Sequence, residues 1–410
     1  MSHSVGPAPR RRVVAMLTGA AMAMIALAGC ETKPISSGQG PSGPVTAAAP
    51  PAPVPPTPMA PLVTPSGKPK IALLLPLSGR ARQIGHALQD AAELALFDGA
   101  GRDIALVPID TGGTPDGAAA ATERAIREGA NLILGPLFGA SAAVAGPIAK
   151  QGNLEMISFS NDEGTAQPGL YVMGLAVEPQ VRRVVDYVQR KGVKRFVALA
   201  PATAYGGQAM LALRDAAQRV NINVGASETV PASGAPDAPV KRVLAAVGAD
   251  GSTTALFMPI GAPRVSAVAS SLAEADVASR KVQLIGTGVW DVANIGGEKA
   301  LIGAWFAGPD PARRAAFERK FQAVHGKVPP RIATLAYDAV MLAAQLARLR
   351  AGGDFSAGSI TDGAGFNGLD GRFRFRTDGR VERSLAILEI EGDRTRVIDP
   401  APSAFMSVVN

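Results

Sequence analysis

The chain has 410 residues, a formal net charge of +7 and a single cysteine. That length is enough for two lobes with substantial cores, and one cysteine excludes an internal disulfide. Arg10, Arg11 and Arg12 carry three of the seven net positive charges, so the basicity gives no ground for a nucleic-acid partner.

Residues 1–29 read as a secretory signal. The three arginines precede an apolar stretch over 13–28, shorter than the about 20 apolar residues of a membrane span. The stretch ends in Leu27-Ala28-Gly29-Cys30, the pattern of a bacterial lipobox in which the cysteine is acylated. Cys30 is therefore the expected lipidation site and membrane anchor, and Glu31 in place of an aspartate favours the outer membrane. Residues 30–67 form a lipidated start and a Pro/Ala-rich linker that cannot bury a core and favours extended polyproline II geometry. Extended, it reaches roughly 100 Å. The expected location is the periplasm, on a lipid tether.

From there the sequence alternates. Apolar runs at 71–75, 104–109, 132–134 and 156–159 read as buried strands, and helical periodicity fills 85–97, 116–128 and 140–150 between them. After residue 178 the alternation restarts with a helix at 181–190. Strands at 196–200, 224–230, 255–258 and 282–285 then alternate with helices at 206–220, 240–247 and 266–275. Long amphipathic helices at 312–324 and 332–349 follow, and strands at 373–375, 385–390 and around Val397 close the chain. Two βα series predict an α/β fold of two similar lobes, each a parallel sheet flanked by helices.

Several short motifs fall in a telling order. They are Ile71-Ala72-Leu73-Leu74-Leu75-Pro76-Leu77-Ser78-Gly79, Leu134-Gly135-Pro136-Leu137 with Ser141 at the next helix start, and Ile157-Ser158-Phe159-Ser160. Tyr205-Gly206, Ala336-Tyr337-Asp338-Ala339 and Phe373-Arg374-Phe375 follow. Together they resemble class I periplasmic binding proteins, especially the leucine-binding group. The resemblance implies a domain over 68–400 whose chain crosses between lobes near 176, 288 and 355. Lobe 1 is then 68–176 with 288–354, and lobe 2 is 177–287 with 355–400. It also implies a ligand in the cleft outside the carboxyl ends of the strands.

At those strand ends stand the candidate cleft residues Ser78, Gly79, Phe138, Gly139, Ser141, Ser158, Ser160, Tyr205, Thr287, Trp290 and Asp291. Free N–H groups and the dipole of a helix start suit anionic or polar ligand groups, although serines and glycines there also serve as caps and turns. Against the pattern of amino-acid binders, Phe138 and Gly139 stand where a small polar residue holds the carboxylate. Asp162 or a neighbour takes the place of a threonine, and Thr287-Gly288 the place of the acid that pairs the ammonium. Asp291 is the nearby acid that could substitute.

The run Phe366-Asn367-Gly368-Leu369-Asp370-Gly371-Arg372-Phe373, with the opening Leu74 to Gly79, also looks like the C-terminal domain of lipoprotein activators of penicillin-binding proteins. A lipid anchor on a long tether suits such a protein. The preferred expectation is thus a cell-envelope regulator of peptidoglycan synthesis with a penicillin-binding protein as partner. The alternative is the substrate-binding component of an ABC importer, with a permease as partner and an amino acid or related solute as ligand.

Catalysis is not expected. His3 lies in the signal, and His86 and His325 lie on helices far apart in sequence. Gly363, Gly365 and Gly368 match a dinucleotide spacing without the strand and helix that would make it one. No cofactor and no metal site are indicated. Tyr337 and Asp338 read as structural helix residues, and Arg372, Arg374 and Arg376 as a solvated strand face.

Overall fold

The computed structural model describes residues 67–405 apart from 249, 293, 393 and 404, so the signal, Cys30 and most of the tether lie outside the described residues. Lobe 1 begins with β1 (Lys70–Leu75), α1 (Arg82–Phe97), β2 (Ala105–Asp110), α2 (Pro115–Arg127) and β3 (Leu132–Leu134). It continues with α3 (Gly139–Gln151), β4 (Met156–Ser158) and β5 (Leu170–Val172). The strands lie in the order β2-β1-β3-β4-β5, all parallel. Ile71 to Leu75 are fully buried, as a strand covered by helices on both faces requires.

The chain then crosses to lobe 2 at 174–177 and repeats the plan. The second series runs α4 (Val177–Arg190), β6 (Arg195–Pro201), α5 (Ala204–Arg219), β7 (Asn223–Val230) and α6 (Asp237–Val247). It ends with β8 (Thr254–Phe257), α7 (Arg264–Glu274), β9 (Gln283–Gly286) and β10 (Trp305–Gly308). These strands are ordered β7-β6-β8-β9-β10, the lobe 1 order again. After β10 the chain returns to lobe 1. There α8 (Pro311–His325) inserts Phe317 and Phe321 into the core, and α9 (Ala333–Ala347) packs along α1.

A small antiparallel sheet follows, β11 (Phe366–Gly368), β12 (Gly371–Phe375) and β13 (Val381–Arg383), and its Phe366, Phe373 and Phe375 also join the lobe 1 core. The chain crosses last at 383–386, and β14 (Ala386–Glu391) and β15 (Arg394–Asp399) extend the lobe 2 sheet beside β10, which β14 meets antiparallel.

Two of the expected boundaries therefore move. The second crossing lies at 308–311 instead of 288, because residues 288–308 hold β10 and its lead-in on lobe 2. The third lies near 384 instead of 355, because 366–383 pack on lobe 1. The lobe 2 sheet is also mixed, not purely parallel.

The motifs around 338 and 370 meet in space. Asp338, fully buried in α9, takes the Leu369 N–H on both carboxylate oxygens at 2.8 and 3.0 Å and so holds the β11–β12 turn. Burial, then the neighbouring Asp370, pushes its carboxyl up to about 7. Tyr337 donates to Asp98 at 2.9 Å. The Arg372, Arg374 and Arg376 face is not simply solvated. Arg374 pairs with Glu382 at 2.6 Å, Arg376 with Asp378 at 3.1 Å, and Arg372 donates to the Ala364 and Ser403 carbonyls.

Candidate ligand-binding cleft

In both lobes the sequence of strands reverses direction across the sheet at one place, between β1 and β3 and between β6 and β8. Open α/β sheets bind ligands outside the strand ends at such a switch point. The loops and helix starts that follow these strands hold six of the eleven candidate residues.

On lobe 1 four loops touch, those after β1, β2, β3 and β4. A Cβ on Gly79, at φ +73°, would meet the Gly112 carbonyl at 2.8 Å, so the loops after β1 and β2 abut. The Phe138 ring lies against Gly113, and Asp162 and the Ser160 hydroxyl lie against Gly139. The structure thus brings Ser78, Gly79, Phe138, Gly139, Ser141 and Ser160 into one rim, together with Asp162. Asp110, which the sequence did not single out, ties this rim. Its Oδ1 accepts the N–H groups of Leu77 (2.8 Å), Ser78 (3.1 Å) and Gly112 (2.8 Å). Slight burial works against its charge, but bonds from the Ser78 hydroxyl and these N–H groups hold its carboxyl below the ordinary value.

Helix α3 opens this rim. Its N-cap residue is Phe138, which offers no side-chain cap and is 39% exposed. In its first turn Ser141 is 1% exposed and its hydroxyl has no hydrogen-bond partner among the described residues. Ser158 has a structural place: fully buried, it donates to the Pro136 carbonyl at 2.9 Å and accepts the Ser160 N–H at 3.2 Å. Ser160 in turn accepts the Asp162 N–H at 2.9 Å.

On lobe 2, Tyr205 and Thr287 share a hydrogen bond of 2.7 Å. Burial pushes the Tyr205 phenol up to about 12. Trp290 is fully buried in the lobe 2 core, and its indole N–H donates to the Ile260 carbonyl at 2.9 Å, so it is not at a cleft surface. Asp291 is engaged. Arg314 binds both of its oxygens, one bond measuring 2.8 Å, and the Arg331 Nε donates at 2.6 Å. Burial opposes its charge, yet these two guanidinium groups hold its carboxyl below the ordinary range. The acid that could have met a ligand ammonium is therefore already paired.

A third region lies where the chain crosses between lobes. Gln180 ties the first crossing to the loop after β9, donating to Leu175 and Ala176 carbonyls and accepting the Gly288 N–H at 2.6 Å. A cavity of about 20 Å³ beside it is lined by residues of all three crossings, with Asp291 and Arg331. That is room for about one water and not for a solute.

A family model described as periplasmic binding protein matches residues 68–395. The chain belongs to the periplasmic binding protein family. This binding protein is similar to solved structures of the same fold. One is a branched-chain amino acid ABC transporter periplasmic ligand-binding protein from Burkholderia xenovorans. It shows 17% identity and a TM-score of 0.65, covering 81% of this chain and 96% of that one. Another is an ABC transporter solute-binding protein from Rhodopseudomonas palustris, solved with 3,4-dihydroxybenzoic acid. It shows 18% identity and a TM-score of 0.62, covering 83% and 98%. A curated relative is an uncharacterized protein of Rickettsia prowazekii, 28% identical over 136 residues. The alignment spans 33% of this chain and 36% of the relative's length. Among the described residues of this binding protein, no helix is long and apolar enough to cross a membrane.

Proposed function

We propose that this chain is the solute-binding component of an ABC importer, and that its cleft takes a small organic solute without an ammonium group, an aromatic carboxylate being the leading class. The observation that carries the ligand class is the pairing of Asp291 with Arg314 and Arg331, which takes from a ligand ammonium the acid that the sequence offered it. A buried ammonium without a partner is costly. On lobe 1 the uncapped start of α3, with the unpartnered Ser141 hydroxyl, suits one carboxylate, and exposed Phe138 suits an apolar ring beside it. The family match and the solved neighbours support the importer reading over the regulator of peptidoglycan synthesis that the sequence placed first.

Calorimetry on the purified protein, with benzoate and 3,4-dihydroxybenzoate set against leucine, isoleucine and valine, tests the ligand class. The aromatic acids are expected to bind at least about 30-fold more tightly, the consequence of losing one desolvated charged contact worth about 2–5 kcal/mol. Micromolar binding of leucine with no heat from the aromatic acids would sink the ligand class and leave the importer role standing.

The membrane attachment is proposed on Cys30. Cys30→Ala is expected to move the protein from the membrane fraction to the soluble fraction after cell breakage, and wild-type fractionation of that variant would remove the lipid anchor from the account.

A further inference from the structure

Asp291 follows Trp290 directly, and Trp290 is locked in the lobe 2 core, so the carboxylate rides with lobe 2. Both of its partners ride with lobe 1. Arg314 projects from α8, whose Phe317 and Phe321 lie in the lobe 1 core. Arg331 precedes α9 and is fixed on its far side by Asp370, with which its Nη2 pairs at 2.9 Å and to which its Nη1 donates at 3.2 Å. The contact therefore spans the two lobes.

Its position matters as much as its chemistry. Asp291 and Arg331 line the same small cavity as Gly174 to Ala176 of the first crossing, Gly308 and Pro309 of the second, and Leu385 of the third. Atoms beside a bending axis move least when two bodies bend about it. A contact there can persist through bending, whereas a contact at the cleft mouth must break. Breaking it is also expensive: the side chains of Asp291, Arg314 and Arg331 are only 6%, 14% and 18% exposed, so separation leaves desolvated charges behind.

We propose that Asp291, Arg314 and Arg331 form a charge clamp between the lobes that fixes the axis about which they bend, restricting the motion to opening and closing and suppressing twist. The clamp acts on the lobes themselves, whatever solute the cleft takes, so its failure and that of the ligand class are separate outcomes.

The test is an interlobe distance distribution on the full chain. Cys30→Ser leaves no native thiol, and Arg127→Cys on α2 and Leu211→Cys on α5, side chains largely exposed on lobe 1 and lobe 2 respectively, carry spin labels. Adding Asp291→Asn is expected to broaden the distribution at least twofold in width. Arg314→Gln, which keeps the Arg331 contact, is expected to broaden it less. Both variants melting cooperatively and reproducing the parent distribution would overturn the clamp. If Asp291→Asn fails to fold, Arg314→Gln decides alone: a broadened distribution supports the clamp and an unchanged one overturns it.

Discussion

Asp370→Ala is expected to lower the stability of this protein by about 3–5 kcal/mol, the cost of removing one partner from a buried ion pair. Asp370 is fully buried at the β11–β12 turn. It accepts the Thr334 hydroxyl at 2.6 Å and pairs with Arg331 at 2.9 Å. Burial works against the charge of Arg331, and Asp370, ahead of Asp291, more than offsets it. Burial holds Arg383 below its ordinary value, and Asp370 is the first group that opposes this. Alanine therefore takes one of its two carboxylates from Arg331 and the first opposing charge from Arg383. Asp370→Asn keeps the shape and the hydrogen-bonding capacity toward Thr334, and a smaller loss is expected from it. Urea denaturation at neutral pH measures both, and a loss under 1 kcal/mol for Asp370→Ala would contradict the reading.

The same cluster shows what a sequence conceals. Asp291 and Arg331 are 40 residues apart and Arg331 and Asp370 are 39 apart, so no local pattern announces that they meet. The helices and long strands were legible because their apolar periodicity is local. The missed strands are β5 and β10, the fifth strand of each lobe, and β11 and β13 of the small sheet, each three or four residues long. A run that short carries too few positions for a period to register. Missing β10 placed the second crossing some twenty residues early, and missing β11 and β13 displaced the third. The cleft was partly legible for a related reason. Strand ends in such sheets are known places for a ligand, but the same ends also carry core and hinge residues. Trp290, Ser158 and Asp291 are of that second kind, and only their burial and partners separate them from Ser141 and Phe138.

Adjacent glycines in α5 are expected to respond oppositely to alanine. In a helix interior alanine is ordinarily worth about 0.8–1 kcal/mol over glycine. Among the described residues a Cβ on Gly207 would meet nothing within 4 Å, so Gly207→Ala is expected to be neutral or to stabilise by up to about that amount. Gly206 faces the end of β6, and a Cβ there would lie 2.0 Å from the Pro201 carbonyl oxygen. The backbone must move, because a carbonyl at a strand end cannot swing away as a long side chain can. The same packing recurs at Gly85 against Pro76 and at Gly117 against Thr111, each at 2.0 Å, so it is how these helix starts seat on their strands. Overpacking of this kind costs about 1–3 kcal/mol. The displacement also strains the Thr203 cap, whose hydroxyl accepts the Gly206 N–H at 3.1 Å, a bond worth about 1 kcal/mol. Tyr205 sits between the two and would be pulled from its 2.7 Å bond with Thr287. Gly206→Ala is thus expected to lose about 2–4 kcal/mol in all. Paired denaturation curves for the two variants check this, and equal midpoints would show that the start of α5 has room to shift.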